Sequence, residues 1–184
     1  MLKGMTSEAA LIEECKQGKH SAFEALYTKY ASRLMAIALR YCTTTFEAED
    51  LVQETFILVF QKIKLFEGKG SFEGWLKTVL VRTAINNFHK TKHERHQEDS
   101  ANYEDHALDH ETVLSKLSND ELLRVVRTLP CGYRTVFNLY VIEGYTHKEI
   151  GALCGITEGT SKSQFSKAKA MLKALLLKEH YISQ

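Results

Sequence analysis

Between Thr157 and Lys178 the chain reads TEGTSKSQFSKAKAMLKALLLK, in which five lysines (Lys162, Lys167, Lys169, Lys173, Lys178) follow Glu158 without an intervening acid. Thr160, Ser161, Ser163 and Gln164 are interleaved with the first of them. Ammonium groups neutralise phosphates, and hydroxyl and amide groups donate to and accept from base edges, so the chemistry on offer is non-covalent recognition of nucleic acid. The competing reading is a solvated basic face on an ordinary C-terminal helix, where lysines also favour the negative end of the helix dipole. A second candidate set, His89, His93, His96, His106 and His110, has two ligand-like spacings. Its surroundings are polar, hold no cysteine and offer no dry shell to orient ligands, so no metal centre is expected. The four cysteines, Cys15, Cys42, Cys131 and Cys154, form no CxxC pair and sit in apolar helical patterns, which suits buried reduced thiols. No catalytic group and no cofactor is expected.

The lysine-rich stretch needs an element to present it. Thr146, His147, Lys148 and Glu149 fit the S/T-x-x-E capping box, in which hydroxyl and carboxylate reciprocally satisfy backbone donors at a helix start. Ile150, Leu153 and Cys154 give that helix an apolar side, and Gly155 can take the left-handed conformation that ends it. Thr157 or Thr160 then caps a second helix. Helix, tight turn and helix make a helix-turn-helix, whose second helix presents its first turns to the major groove. Thr160, Ser161, Lys162, Ser163, Gln164, Lys167 and Lys169 are expected to face DNA. Phe165, Ala168, Leu172, Leu175 and Leu176 are expected to pack inward.

Upstream, one proline and ten glycines in 184 residues, with long 3.6-residue periodicity, predict an all-helical fold. Phe23, Leu26, Tyr27, Tyr30, Leu34, Ile37, Ala38 and Tyr41 mark one helix face. In FEAEDLVQETFILVFQKIKLF, Leu51, Val52, Thr55, Phe56, Val59 and Ile63 form a stripe, with Asp50, Gln53, Glu54 and Gln61 around the other side. Leu58 and Leu65 lie off that stripe, which predicts that this helix buries more than one face. The loop EGKGS interrupts the pattern, and a third helix is expected to start behind Ser71 as N-cap and run through Trp75 to Phe88.

Charge is segregated along the chain. From His93 to Asp120 two basic residues stand against eight acids, a net −6, while residues 1–92 and 128–184 each carry +3. The total of +1 is a cancellation. The acidic segment has few large apolar residues before Val113 and is expected to be a flexible linker between two helical units. No apolar run approaches the ~18 to 20 residues that span a bilayer, and MLKGMTSEAA lacks the apolar core of a secretory signal, so a cytoplasmic location is expected.

Two blocks carry a resemblance. AEDLVQETFILVF (48–60) with GSFEGWLKTVLVRTAINNF (70–88) resembles region 2 of the sigma-70 transcription initiation factors, and LPCGYRTVFNLYVIEGYTHKEIGALCGITEGTSKSQFSKAKAML (129–172) resembles their region 4. The pattern is similar to the extracytoplasmic-function (ECF) branch of that family. The resemblance implies two small helical domains, region 2 over 1–92 and region 4 over 121–184, joined by the acidic linker at 93–120. It also implies a non-enzymatic specificity subunit that docks on core RNA polymerase, at the beta-prime coiled coil and the beta flap. Promoter DNA would be the second partner and an anti-sigma factor a third.

Residue by residue, the resemblance assigns Asp50, Gln53, Glu54 and Gln61 to the beta-prime coiled coil, where acidic groups steer toward a basic partner. The loop 66–74 would take a base flipped from the minus-ten element, with Lys69, Trp75, Lys77, Arg82, Asn86, Asn87 and Lys90 on phosphates and base edges; His89 is a further donor beside them. Trp75 also has the spacing of a core residue beside Phe72 and Val79. The helix-turn-helix would read the minus-thirty-five element. The chain departs from the family pattern at Gly151, where alanine is usual, at Ser161, where a small apolar residue is usual, and at Gln164 and Lys167, which replace common arginines. Loss of the guanidinium fork weakens bidentate guanine contacts. Asn86 and Asn87 stand where an aspartate is common. The acidic linker, with Glu98, Asp99, Glu104 and Asp105, would lie away from duplex DNA along a basic surface of the polymerase. Two other readings are a stand-alone helix-turn-helix regulator and a small metal-dependent hydrolase; the second lacks a preorganised constellation.

Overall fold

The structure, a computed structural model, describes residues 7–94 and 119–182. Most of the expected linker, with Glu98, Asp99, Glu104, Asp105 and the side chains of His93, His96, His106 and His110, lies outside the described residues. Every regular element among those described is helical. They form two compact units, residues 7–38 with 45–84, and residues 39–44 with 85–94 and 119–182.

In the first unit, α1 (Glu8–Lys16) starts at Ser7, whose hydroxyl accepts from the Ala10 amide at 3.2 Å, and Gly18 at φ 82° turns the chain just past its end. Helix α2 (His20–Ala38) buries Ala22, Leu26, Tyr30, Leu34 and Ala38, one residue per turn. Helix α3 (Thr45–Lys62) buries Ala48, Leu51, Val52, Thr55, Phe56 and Val59, the stripe that the periodicity marks. A 3₁₀ turn, Ile63–Leu65, follows. Of the two residues off that stripe, Leu58 is half-buried, but Leu65 corrects the expectation: it sits in the 3₁₀ turn beyond the end of α3 and is 71% exposed, while Ile63 stays buried. Helix α4 (Phe72–Glu94) begins in this unit behind Ser71, whose hydroxyl accepts from the Gly74 amide at 3.0 Å; from Ile85 its residues belong to the second unit, and it continues into the first positions of the expected linker. Tyr30, Phe66, Phe72 and Trp75 meet edge to face or stacked, with centroids 5.1–5.7 Å apart, an arrangement worth about 0.5–1.5 kcal/mol per pair beyond area burial.

The second unit contains α5 (Asn119–Arg127), α6 (Cys131–Phe137), α7 (His147–Cys154) and α8 (Glu158–Ile182). Val125, Val126, Leu129, Phe137, Ala168, Leu172 and Leu176 form its core, with Phe165 and Leu175 packed against them, so the expected inward face of α8 is the observed one. Pro130 starts α6, and its carbonyl accepts from the Arg134 amide. Arg134 is buried, 3% exposed: Nη1 donates to the carbonyls of Arg127 and Leu129 and Nε to that of Tyr41, each at 3.0 Å. A π-helical turn, Asn138–Ile142, extends α6, and the buried Asn138 amide donates to the carbonyls of Arg134 and Arg40.

Helix α7 opens with the full capping box: Thr146 Oγ1 accepts from the Glu149 amide at 3.3 Å, and Glu149 accepts from the Thr146 amide at 2.8 Å. The Thr146 amide, and the Thr146 hydroxyl donating to the same carboxylate at 2.7 Å, hold the Glu149 carboxyl below its ordinary range. Gly155, at φ 59° and ψ 40°, ends the helix in the left-handed conformation. Thr157 then caps α8, its hydroxyl accepting from the Thr160 amide at 3.0 Å. The turn closes tightly on Gly151. A Cβ there would stand 2.9 Å from the Ile156 carbonyl oxygen, which is backbone and cannot swing aside. Alanine at this position would gain up to about 1 kcal/mol of helix propensity yet force the turn apart. Gly151→Ala is therefore expected to lower the melting temperature of this unit while the helical circular dichroism at low temperature stays constant. An unchanged melting temperature would show that the turn accommodates a methyl group.

Candidate functional site

The first turns of α8 share a groove with α6. It has a volume of about 410 Å³ and is lined by Tyr133, Gly159, Thr160, Ser163, Gln164 and Lys167. Four of the seven residues expected to face DNA thus meet in one concavity. Lys162 is exposed but ion-paired to Glu158 at 2.7 Å, one turn back. The Lys169 ammonium lies 5.0 Å from the Phe165 ring centroid, a cation–π contact at the edge of the core. Ser161 corrects the expectation: it is fully buried, its Oγ is 3.0 Å from His147 Nδ1, and it links the two helices of the motif instead of facing outward. A polar residue at this inward position is tolerated because the imidazole, stacked on Tyr140 at 4.4 Å, satisfies it.

Burial, with the Lys162 ammonium beside it and Glu158 opposing, holds His147 below the ordinary histidine range. The unfolded chain therefore takes up the proton at about pH 6.5, before the folded chain does. Stability is full above that value and falls as the pH drops toward the lowered folded value. The melting temperature of the unit holding α7 and α8 is expected to decline on moving from about pH 7.5 to about pH 5.5, and His147→Phe to flatten that decline. Equal slopes in the two proteins would place the titration elsewhere.

On α3, Asp50, Gln53 and Gln61 are exposed and Glu54 is half-buried. The sequence reading missed their apolar neighbours. Phe46 is 71% and Ile57 57% exposed, and they stand four residues before Asp50 and four after Gln53, on the same helix face. The signal was present in that spacing, but attention to polar types passed over it.

In the loop before α4, Gly68 and Gly70 both sit at φ 77° with open space where a Cβ would stand, which keeps this backbone accessible. Lys69 pairs with Glu67 at 2.6 Å; both side chains are highly exposed, so a phosphate competes for the lysine at little cost. Trp75 is half-buried against Phe66 and Phe72, which anchors the loop and leaves part of the indole reachable. Along α4, Arg82, Asn86 and Lys90 are exposed and recur every four residues, whereas Lys77 and Asn87 are half-buried off that line. His89 is engaged: its Nε2 donates to the Leu153 carbonyl at 3.1 Å. Among the described residues no group of three or more His, Cys, Asp or Glu side chains could hold a metal ion, and no helix is long and apolar enough to cross a membrane.

Two family models match the chain in succession. Residues 26–94 match the Sigma-70 region 2 family and residues 119–172 the Sigma-70, region 4 family. The chain is 30% identical to the RNA polymerase sigma-H factor of Pseudomonas aeruginosa, over 92% of this chain and 95% of the relative. It is 29% identical to the ECF RNA polymerase sigma-E factor of Haemophilus influenzae, over 91% and 94%. Among solved structures it is similar to the sigma factor RpoE of Bartonella quintana, crystallised with the anti-sigma factor NepR, at 26% identity and a TM-score of 0.49 over 85% of this chain and 96% of that one.

Proposed function

The chain belongs to the ECF branch of the sigma-70 family of RNA polymerase sigma factors, and from that premise we propose how its residues divide the work of directing core polymerase to promoters. The division follows domains at 1–92 and 121–184 with the acidic connector between them. The outer face of α3, Asp50, Gln53, Glu54 and Gln61 with Phe46 and Ile57, docks on the beta-prime coiled coil. Apolar anchors supply affinity there and the carboxylates steer the encounter. The second domain adds a contact to the beta flap and reads the minus-thirty-five element through the α8 groove. The observation that carries this reading is the convergence of Thr160, Ser163, Gln164 and Lys167 in one concavity at the start of the second helix of a capped helix-turn-helix.

The loop 66–74 and the exposed line of α4 open the minus-ten element. Extruding a base costs a few kcal/mol, which a backbone pocket and an aromatic surface offset. Lys69, Arg82, Asn86 and Lys90, with Lys77 and Asn87 beside them, hold the separated strand by phosphate and base-edge contacts. The chain itself makes or breaks no covalent bond; that chemistry belongs to the polymerase, and the cytoplasm is where the two meet. An anti-sigma factor is the inhibitory partner that family membership adds. Permanganate reactivity of thymines tests the opening step. Holoenzyme made with this chain should expose thymines in the minus-ten region, and Arg82→Ala with Asn86→Ala should reduce that reactivity while leaving minus-thirty-five protection in place. Full reactivity in the double variant would remove α4 from strand opening.

A further inference from the structure

We propose that Gln164 selects an adenine at one position of the minus-thirty-five element; the inference rests on the promoter-recognition reading above and names the base that the groove takes. Gln164 lines the groove with Tyr133, Gly159, Thr160, Ser163 and Lys167. In the free chain its amide is folded back against α6. Nε2 lies 3.3 Å from where a Cβ on Gly132 would stand, so the missing side chain of Gly132 makes the space it occupies. Oε1 is buried there without a hydrogen-bond partner. A buried acceptor with no donor is a state that packing tolerates and hydrogen bonding does not favour. Turning the amide out into the groove therefore gives up no bond from that oxygen, and a partner with a donor in reach gains one.

The partner's chemistry follows from the amide itself. Of the side chains lining the groove, Gln164 alone carries a planar donor–acceptor pair. Thr160 Oγ1 is already bonded to Thr157 Oγ1 at 2.8 Å, and Lys167 offers donors only. In the major groove adenine presents N7 as acceptor and N6–H₂ as donor, so Nε2 donates to N7 while Oε1 accepts from N6. Guanine presents two acceptors, N7 and O6, which leaves Oε1 facing an oxygen. Cytosine and thymine each offer one hydrogen-bonding group there and satisfy only half of the amide.

The test is selection of duplexes from a library randomised across the minus-thirty-five element, using holoenzyme made with the wild-type chain, Gln164→Ala or Gln164→Arg. One position should be adenine for wild type, unconstrained for Gln164→Ala, and shifted toward guanine for Gln164→Arg, with the remaining positions unchanged. At that position 7-deazaadenine, which lacks the N7 acceptor, should weaken wild-type binding about tenfold and leave Gln164→Ala unaffected. Identical base preferences for all three proteins would overturn the assignment of Gln164 while leaving the promoter-recognition reading intact. Absence of any chain-dependent enrichment would overturn both.

Discussion

Ile57→Asp is expected to lower the affinity of the chain for core RNA polymerase about a hundredfold, a loss on the scale of a central interface anchor, with no matching loss of stability. The side chain is 57% exposed, so removing it opens no cavity in the core of the first unit. Large apolar groups left in water beside a polar rim are a common sign of a contact surface, and α3 sets Phe46 and Ile57 in line with Asp50, Gln53 and Gln61. A carboxylate at position 57 would be stripped of water on docking without a partner, which costs more than truncation alone. Titration of core polymerase into fluorescently labelled chain measures the effect, and Ala25→Asp, on an exposed part of α2, serves as the control. Wild-type affinity in Ile57→Asp would remove this face from docking.

Arg134→Met is expected to reduce the stability of the second unit by about 3 kcal/mol, lowering its melting temperature by about 10–20 °C for a domain of this size. The guanidinium donates to three carbonyls at 3.0 Å, two of which, at Arg127 and Leu129, belong to the end of α5 and the turn before α6. Methionine fills a similar volume and leaves those buried oxygens without their donor. Lysine is not expected to rescue the loss, because a compact ammonium lacks the fork that reaches several carbonyls from one fixed plane. Thermal melting followed by circular dichroism reads the difference. A variant as stable as wild type would mean that the carbonyls find other donors and that Arg134 is replaceable.

What was legible in the sequence was what short-range chemistry decides. Thr146 and Glu149 form their capping box within one helical turn, and Gly155 has the left-handed conformation that its lack of a Cβ permits, so four residues of sequence sufficed for each. The apolar stripe of α3 was readable because burial there follows helical periodicity directly. Ser161 was misread because its environment is supplied by His147, fourteen residues away, and no local pattern distinguishes a hydroxyl facing water from one facing an imidazole. His89 is a similar case, its partner being a carbonyl sixty-four positions along the chain. Leu65 failed for another reason: it was counted as part of a second face of the helix, which ends at Lys62, where the backbone tightens into a 3₁₀ turn and the angle per residue changes. Gly151 was noted only as a departure from a pattern, and the close carbonyl of Ile156 supplies its cause.

If this chain gives core RNA polymerase its choice of promoter, run-off transcription with purified core polymerase and pooled genomic promoter fragments should yield discrete transcripts only when the chain is present, and Ile57→Asp should abolish them. Active core that makes no chain-dependent transcript, while the chain alone binds specific duplexes tightly, would instead mark a DNA-binding regulator that works without the polymerase.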